Sequence, residues 1–407
     1  MNSKPADTNY RWYILTLATL TNAFVSAVPT ICMTVLFKEI STELNLNLVQ
    51  IGLIWGISSL PSVLTLLAWG AMGDRLGPKR ILTLGCVLIG ALGALRGLAY
   101  DFTSLMIAVL LLGLVTPLIT KNSIKACGIW FPTRQLGLAN GVLSMGMALG
   151  FMLASMLSAT FLSPWLGGWR NVMFFYGALA LALSCPWFLT RSAPDAVKAS
   201  ISRADAIPIP QALNHVARVK KVWLLGLIML GIGGCIQGTL GYLPLYLRGL
   251  GWSAGTADGA ASTFHAASML FVIPIALWSD RLGSRRKVLL TTALAIIVGV
   301  GSLSIVDGSV VWIAVALIGM VRDGFMGVFV TLIIETEGIG ATYAGTATGL
   351  VMGLGAIGNL VAPPLGNSLA GIAPSMPFVV WAILALVGFL GLAVFQERND
   401  LRGFAPG

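Results

Sequence analysis

The chain has 407 residues, 57% of them apolar and only 10% charged, where a soluble domain carries about 25% charged residues. The apolar residues and the 48 glycines together supply roughly fourteen 20-residue stretches suited to a bilayer. These proportions argue against a soluble enzyme, a nucleic-acid-binding domain and a secreted disulfide scaffold. The net charge of +10 therefore takes a membrane explanation, because basic residues collect in cytoplasmic loops.

Twelve apolar runs follow one another, near residues 12–37, 48–69, 81–100, 104–130, 138–162, 170–190, 223–246, 256–278, 288–306, 309–334, 343–370 and 376–395. A segment crossing lipid has to satisfy its own backbone, so each run is expected to be a helix. They are numbered here as spans 1 to 12. The polar stretch Met1–Tyr10 lacks a small-residue cleavage site, so span 1 is expected to be retained. Pro29, Pro117, Pro244, Pro363 and Pro364 fall inside runs, where each frees a backbone carbonyl and favours bending. The five cysteines (Cys32, Cys86, Cys127, Cys185 and Cys235) are unclustered and imply neither a disulfide framework nor a metal site.

With the N-terminus inside, 18 of the 25 Lys and Arg residues fall in cytoplasmic segments and three (Lys38, Arg170 and Arg248) in outer loops. That bias places both termini in the cytoplasm. The longest polar segment, residues 191–221, separates six spans from six. The expected organisation is a six-helix bundle over 1–190, a central cytoplasmic loop over 191–221 and a second bundle over 222–407.

The two halves repeat each other. Asp74-Arg75-Leu76-Gly77 follows span 2 and Asp280-Arg281-Leu282-Gly283 follows span 8, an offset of 206. Gly137-x-Ala139-x-Gly141 opens span 5 and Gly345-x-Ala347-x-Gly349 opens span 11, an offset of 208. Two motifs at nearly one offset indicate a duplicated six-helix unit, the parallel-repeat plan of a transporter class. In its loop motif Gly-x-x-x-Asp-Arg-x-Gly-x-Lys/Arg-Arg, present after span 2 and nearly copied after span 8, the chain resembles the major facilitator superfamily over essentially its whole length. The resemblance implies an all-α integral membrane fold with twelve transmembrane helices in two pseudo-symmetric six-helix bundles. It also implies that Asp74, Arg75, Asp280 and Arg281 form a gating latch that breaks and re-forms as the halves rock; the bland alternative is positive-inside anchoring. Pro78 stands where a basic residue is usual in that motif.

Lys125 lies five residues before Trp130-Phe131-Pro132, and Gly168-Trp169-Arg170 precedes span 6. Together these resemble the anion:cation symporter branch and related organic-anion carriers. The Gly-Pro element of drug/proton antiporters in span 5 is absent; residues 146–151 read Gly-Met-Ala-Leu-Gly-Phe.

Charged side chains inside spans cost at least about 2.5–3.5 kcal/mol each and mark function. The candidates well inside spans are Arg96, Lys121, Lys125, Arg322 and Asp323, leaving three positive charges without an evident intramembrane partner. An organic anion is the simplest ligand to offset them. The resemblance makes spans 1, 4, 7 and 10 line the cavity, which implicates Lys121 and Lys125 on span 4 and Arg322 on span 10, with Asn22, Gln237 and Tyr242 as orienting polar groups. Lys121 and Lys125 share a helix face. Arg322 lies about 20 Å in from the outer end of span 10, near the bilayer midplane. Arg96 is expected to snorkel to the headgroups. Adjacent helix positions point about 100° apart, so a direct Arg322–Asp323 pair looks awkward, and Asp323 is expected to carry the coupling proton, with His265 as a second proton-carrying candidate.

No nucleotide-binding motif and no cluster of catalytic groups is present, so the chain is expected to be no enzyme and to need no cofactor. The expected activity is secondary active transport of a small organic anion, a carboxylate, across the plasma membrane by alternating access with proton symport; sodium is the other coupling ion considered. The expected partners are that anion, the proton and the lipid bilayer, with no nucleic acid, and the chain acts as a monomer. Two other readings stay open: an exporter or antiporter of a neutral or cationic compound, and a transporter-like sensor without turnover.

Overall fold

A computed structural model describes residues 8–61, 65, 72, 76–191 and 209–397. Within them every expected span is a helix. Ten are long and apolar enough to cross a membrane: Asn9–Glu43, Pro78–Leu98, Phe102–Trp130, Leu136–Leu166, Trp169–Leu189, Lys220–Gly249, Ala254–Leu282, Val310–Glu335, Thr342–Ser368 and Met376–Val394. The apolar helix Leu48–Pro61 supplies the described part of span 2 and the 18-residue helix Arg285–Ser302 is span 9. The chain is a multi-pass helical membrane protein. Several helices outrun their apolar runs because helical hydrogen bonding continues into the polar flanks.

The fold divides into two compact units, Met1–Leu46 with Leu64–Asp205, and Asn47–Val63 with Ala206–Gly407. In the first, small residues let helices approach. A Cβ at Gly150 would fall 2.5 Å from the carbonyl oxygen of Ala23, and one at Gly146 would fall 2.5 Å from Thr19. Span 5 therefore lies backbone to backbone on span 1. Span 1 itself carries a π-helical turn, Asn22–Ala27, in which the N–H of Val28 reaches five residues back to Ala23. Pro29 has no N–H to offer Val25, so the widened turn is a local answer to that missing donor.

Both motifs that carried the narrower resemblance fasten helix ends in this unit. Trp130 packs edge-on against Tyr10, with ring centroids 4.7 Å apart, and the buried Phe131 meets Trp12 at 5.5 Å. At the other end Gly167 and Gly168 adopt positive φ, 83° and 126°, turning the chain into span 6. Trp169 and Arg170 then both donate to Glu43 at the end of span 1, at 2.5 and 2.7 Å. Arg170 also donates to the carbonyls of Gly97 and Ala99, which end span 3.

The second unit includes span 2, capped reciprocally by Asn47 and Gln50. Span 2 lies on span 11, where a Cβ at Gly52 would come 2.7 Å from the backbone of Pro364 and one at Gly56 would come 2.6 Å from the Leu360 carbonyl oxygen. Trp55 donates its indole N–H to the Gln237 carbonyl at 2.7 Å, and Asn367 donates to the Leu48 carbonyl at 2.8 Å. The stretch expected as central loop contains a helix, Ile209–Arg218, with Ala212 and Val216 buried. His215 stacks on Tyr343 at 4.1 Å and donates through Nε2 to the Gly338 carbonyl at 2.8 Å. Its polar residues and neighbouring prolines hide this helix in the sequence, although Pro210 at its second position is compatible with a helix start.

Candidate functional site

In the second unit spans 8 and 10 run side by side. A Cβ at Gly319 would sit 2.3 Å from the Phe264 carbonyl oxygen, and one at Gly324 would sit 2.6 Å from Ile275. No side chain larger than hydrogen fits at either place, and the two glycines bring the polar residues between them into contact. Ser268 donates to Asp323 Oδ2 at 2.6 Å. Arg322 donates through Nη1 to Asp323 Oδ1, also at 2.6 Å. The expectation that this neighbouring pair is awkward is overturned: the arginine side chain is long enough to span the roughly 100° divergence of the two Cα–Cβ bonds.

His265 lies one turn before Ser268, is 2% exposed, and feels the charges of both Arg322 and Asp323. Arg322 and Asp323 keep 25% and 31% of their side-chain surfaces accessible. The cluster is thus a guanidinium, a carboxylate, a hydroxyl and an imidazole in the interior of two spans, with the ion pair reachable. Charges held in such surroundings interact more strongly than in water, and breaking the pair without compensation is costly. Ser268 is the member the sequence reading missed. Its signal is the i, i+3 spacing from His265, which places both on one helix face.

Of the other polar candidates of this unit, Tyr242 is bound to the scaffold. Tyr242 is buried and its hydroxyl donates to the Pro374 carbonyl at 3.0 Å. Gln237 is half-buried, and its backbone carbonyl accepts the Trp55 indole bond. At the end of span 8, Asp280 bonds Arg285 at 2.5 Å; Arg285 also reaches Glu335 at 3.5 Å, and Arg281 is exposed. The second copy of the loop motif therefore ties its aspartate to the arginine five residues on. Asp74 and Arg75 lie outside the described residues.

In the first unit Lys121 is exposed and Lys125 half-buried, whereas Asn122 and Ser123 between them are fully buried. Asn22 is buried at the start of the π turn, and its Oδ1 has no hydrogen-bond partner among the described residues. The amide oxygen of Asn122 and the hydroxyl of Ser123 are likewise buried without a partner. Arg96 corrects the snorkelling expectation. It is 1% exposed and donates inward to the carbonyls of Gly93 and Pro29, at 3.2 and 2.7 Å. The helix ends there in a single 3-10 turn, and these carbonyls compete successfully with the headgroups for the guanidinium.

Among the described residues no group of three or more His, Cys, Asp or Glu side chains is arranged to hold a metal ion.

A family model, Major Facilitator Superfamily, matches residues 15–358. The chain is 27% identical over 256 residues to the inner membrane transport protein RhmT of Escherichia coli, a match covering 58% of this chain and 59% of that one. It is 25% identical over 360 residues to the 3-(3-hydroxy-phenyl)propionate transporter of the same organism, covering 88% and 86%. The chain thus spans little more than half the length of some of the curated relatives it matches. Among solved structures it is similar to a bacterial homologue of the human lysosomal transporter Spinster, in an inward-facing and occupied conformation. That likeness has a TM-score of 0.75 at 16% identity and covers 98% of this chain and all of the other.

Proposed function

Because this chain belongs to the Major Facilitator Superfamily, we propose that it carries a small organic anion, a carboxylate, across the plasma membrane together with a proton, with both termini in the cytoplasm. The observation that carries this reading is the Arg322–Asp323–Ser268 cluster beside His265. The propionate transporter among its relatives is consistent with the substrate class.

The cluster suggests how a proton and an anion travel together. With Asp323 ionised, the guanidinium of Arg322 is already neutralised and has little to offer a second carboxylate. A proton on Asp323 cancels that attraction, and the Ser268 hydroxyl then serves the neutral acid as acceptor. Arg322 is released to bind the substrate carboxylate in a bidentate, charge-assisted contact. Substrate binding without the proton would leave Asp323 unpaired in a poorly solvated place, which is strongly unfavourable. Proton and anion therefore load together, and the loaded site keeps the charge of the empty one. Lys121 and Lys125 are proposed as further basic groups contacting the substrate, with Asn22 and Gln237 orienting it.

Thermal stabilisation of the purified protein by a panel of carboxylates, inorganic anions, sugars, amines and lipophilic cations tests the substrate class, since a ligand of the native state raises apparent stability by mass action. Stabilisation by carboxylates that weakens roughly 10- to 100-fold in concentration dependence in Arg322→Gln is expected, the size of one charged hydrogen-bonded contact. Stabilisation by amines or neutral drugs alone, unchanged in that variant, would overturn the reading in favour of an exporter of such compounds.

A further inference from the structure

Arg96 is a buried cation with no carboxylate at ion-pair distance among the described residues. Guanidinium stays charged in proteins and costs much to desolvate unless paired. Its Nε and Nη1 donate to the two carbonyls, but Nη2 is buried and has no hydrogen-bond partner among the described residues. The Cys32 side chain lies beside the guanidinium and shares a hydrogen bond with it.

The space in front of that nitrogen is open. Gly93 is buried one turn earlier on span 3, and a Cβ built on it meets a single atom within 4 Å, Arg96 Nη2 at 3.9 Å. The neighbouring glycines of the same span behave otherwise: Gly85, Gly90 and Gly97 would each place a Cβ within 2.8–2.9 Å of another segment. A void in an otherwise tightly packed helix therefore faces the unpaired N–H.

A buried fixed positive charge, an unspent guanidinium N–H and the open space beside Gly93 suit a small monovalent anion. We propose that this first unit binds a chloride ion between Gly93 and Arg96, where it neutralises the guanidinium and fastens span 3 to the Pro29 turn of span 1. The site is independent of the Arg322 cluster and of the substrate assigned to it.

The experiment compares the melting temperature of the purified full-length protein in sodium chloride, bromide and gluconate at equal ionic strength, and locates bromide by anomalous diffraction from crystals. A saturable rise of at least about 2 °C in chloride and bromide over gluconate is expected, together with a bromide peak at Arg96 Nη2. In Gly93→Ala the added methyl fills the void without removing a hydrogen bond, and the halide effect is expected to vanish. Equal melting temperatures in all three salts, bromide density elsewhere, or an undiminished halide effect in Gly93→Ala would overturn the proposal and leave a void that is empty or holds water.

Discussion

Arg322 and Asp323 are consecutive in the chain, yet their side chains meet at 2.6 Å while Ser268 from the adjacent span holds the other carboxylate oxygen. An intramembrane pair of this kind makes each partner depend on the other. Arg322→Gln strands the carboxylate, and Asp323→Asn strands the guanidinium. Each single variant is expected to lose about 1–3 kcal/mol, less than a fully buried pair because both groups keep some accessible surface. The double variant is expected to recover most of that loss. Chemical or thermal unfolding of the three proteins in one detergent checks the cycle; additive losses would mean that the two charges are not coupled.

The attachment of span 2 within the second unit rests on few polar contacts. Trp55→Phe removes the indole bond to the Gln237 carbonyl but keeps an aromatic ring over Gly241, and Asn367→Ala removes the bond to the Leu48 carbonyl. Each is expected to weaken the attachment by about 0.5–1.5 kcal/mol. Hydrogen exchange read by mass spectrometry over residues 48–57 should accelerate in both, with no change over spans 9 and 12.

Trp381 is clamped between glycines of two other spans. A Cβ at Gly238 would come 2.3 Å from its ring and one at Gly366 would come 2.4 Å, while the indole N–H donates to the Ala362 carbonyl. Gly238→Ala or Gly366→Ala is expected to cost about 1–3 kcal/mol through overpacking. Gly349→Ala, with open space around its Cβ, is the control and is expected to be neutral or slightly stabilising. Melting temperatures of the three variants decide the matter.

Arg170 ties three helix ends through Glu43 and the carbonyls of Gly97 and Ala99. Arg170→Lys keeps the charge but loses the planar fork that reaches three acceptors at once. It is expected to destabilise the first unit by about 1–2 kcal/mol and to leave carboxylate-induced stabilisation unchanged. A loss of ligand response at unchanged melting temperature would contradict this fastening role.

Hydropathy and the duplicated loop motif made the twelve spans and the family resemblance legible in the sequence, because a bilayer imposes its own length and polarity on every crossing. The charges of Arg322 and Asp323 stood out for the same reason. What did not show is which polar groups meet. The Ser268 contact depends on Gly319 and Gly324 drawing two spans together, and glycines are too common here for two of them to signal it. From the sequence Arg96 reads as a snorkelling residue because it lies near a helix end, whereas its direction is set by the Pro29 and Gly93 carbonyls. The helix Ile209–Arg218 is hard to see in the sequence because, among its described side chains, only Ala212 and Val216 are buried, held by the His215 contacts with Tyr343 and Gly338.

The most direct test of coupling through Asp323 is a comparison of proton-driven accumulation with substrate exchange. Proteoliposomes would carry either the wild type or Asp323→Asn, with a carboxylate that stabilises the protein as labelled substrate. The wild type should accumulate substrate down an imposed proton gradient, and Asp323→Asn should keep exchanging substrate across the membrane while losing gradient-driven accumulation. Accumulation by Asp323→Asn that still follows the proton gradient would place the coupling proton elsewhere and contradict the central claim.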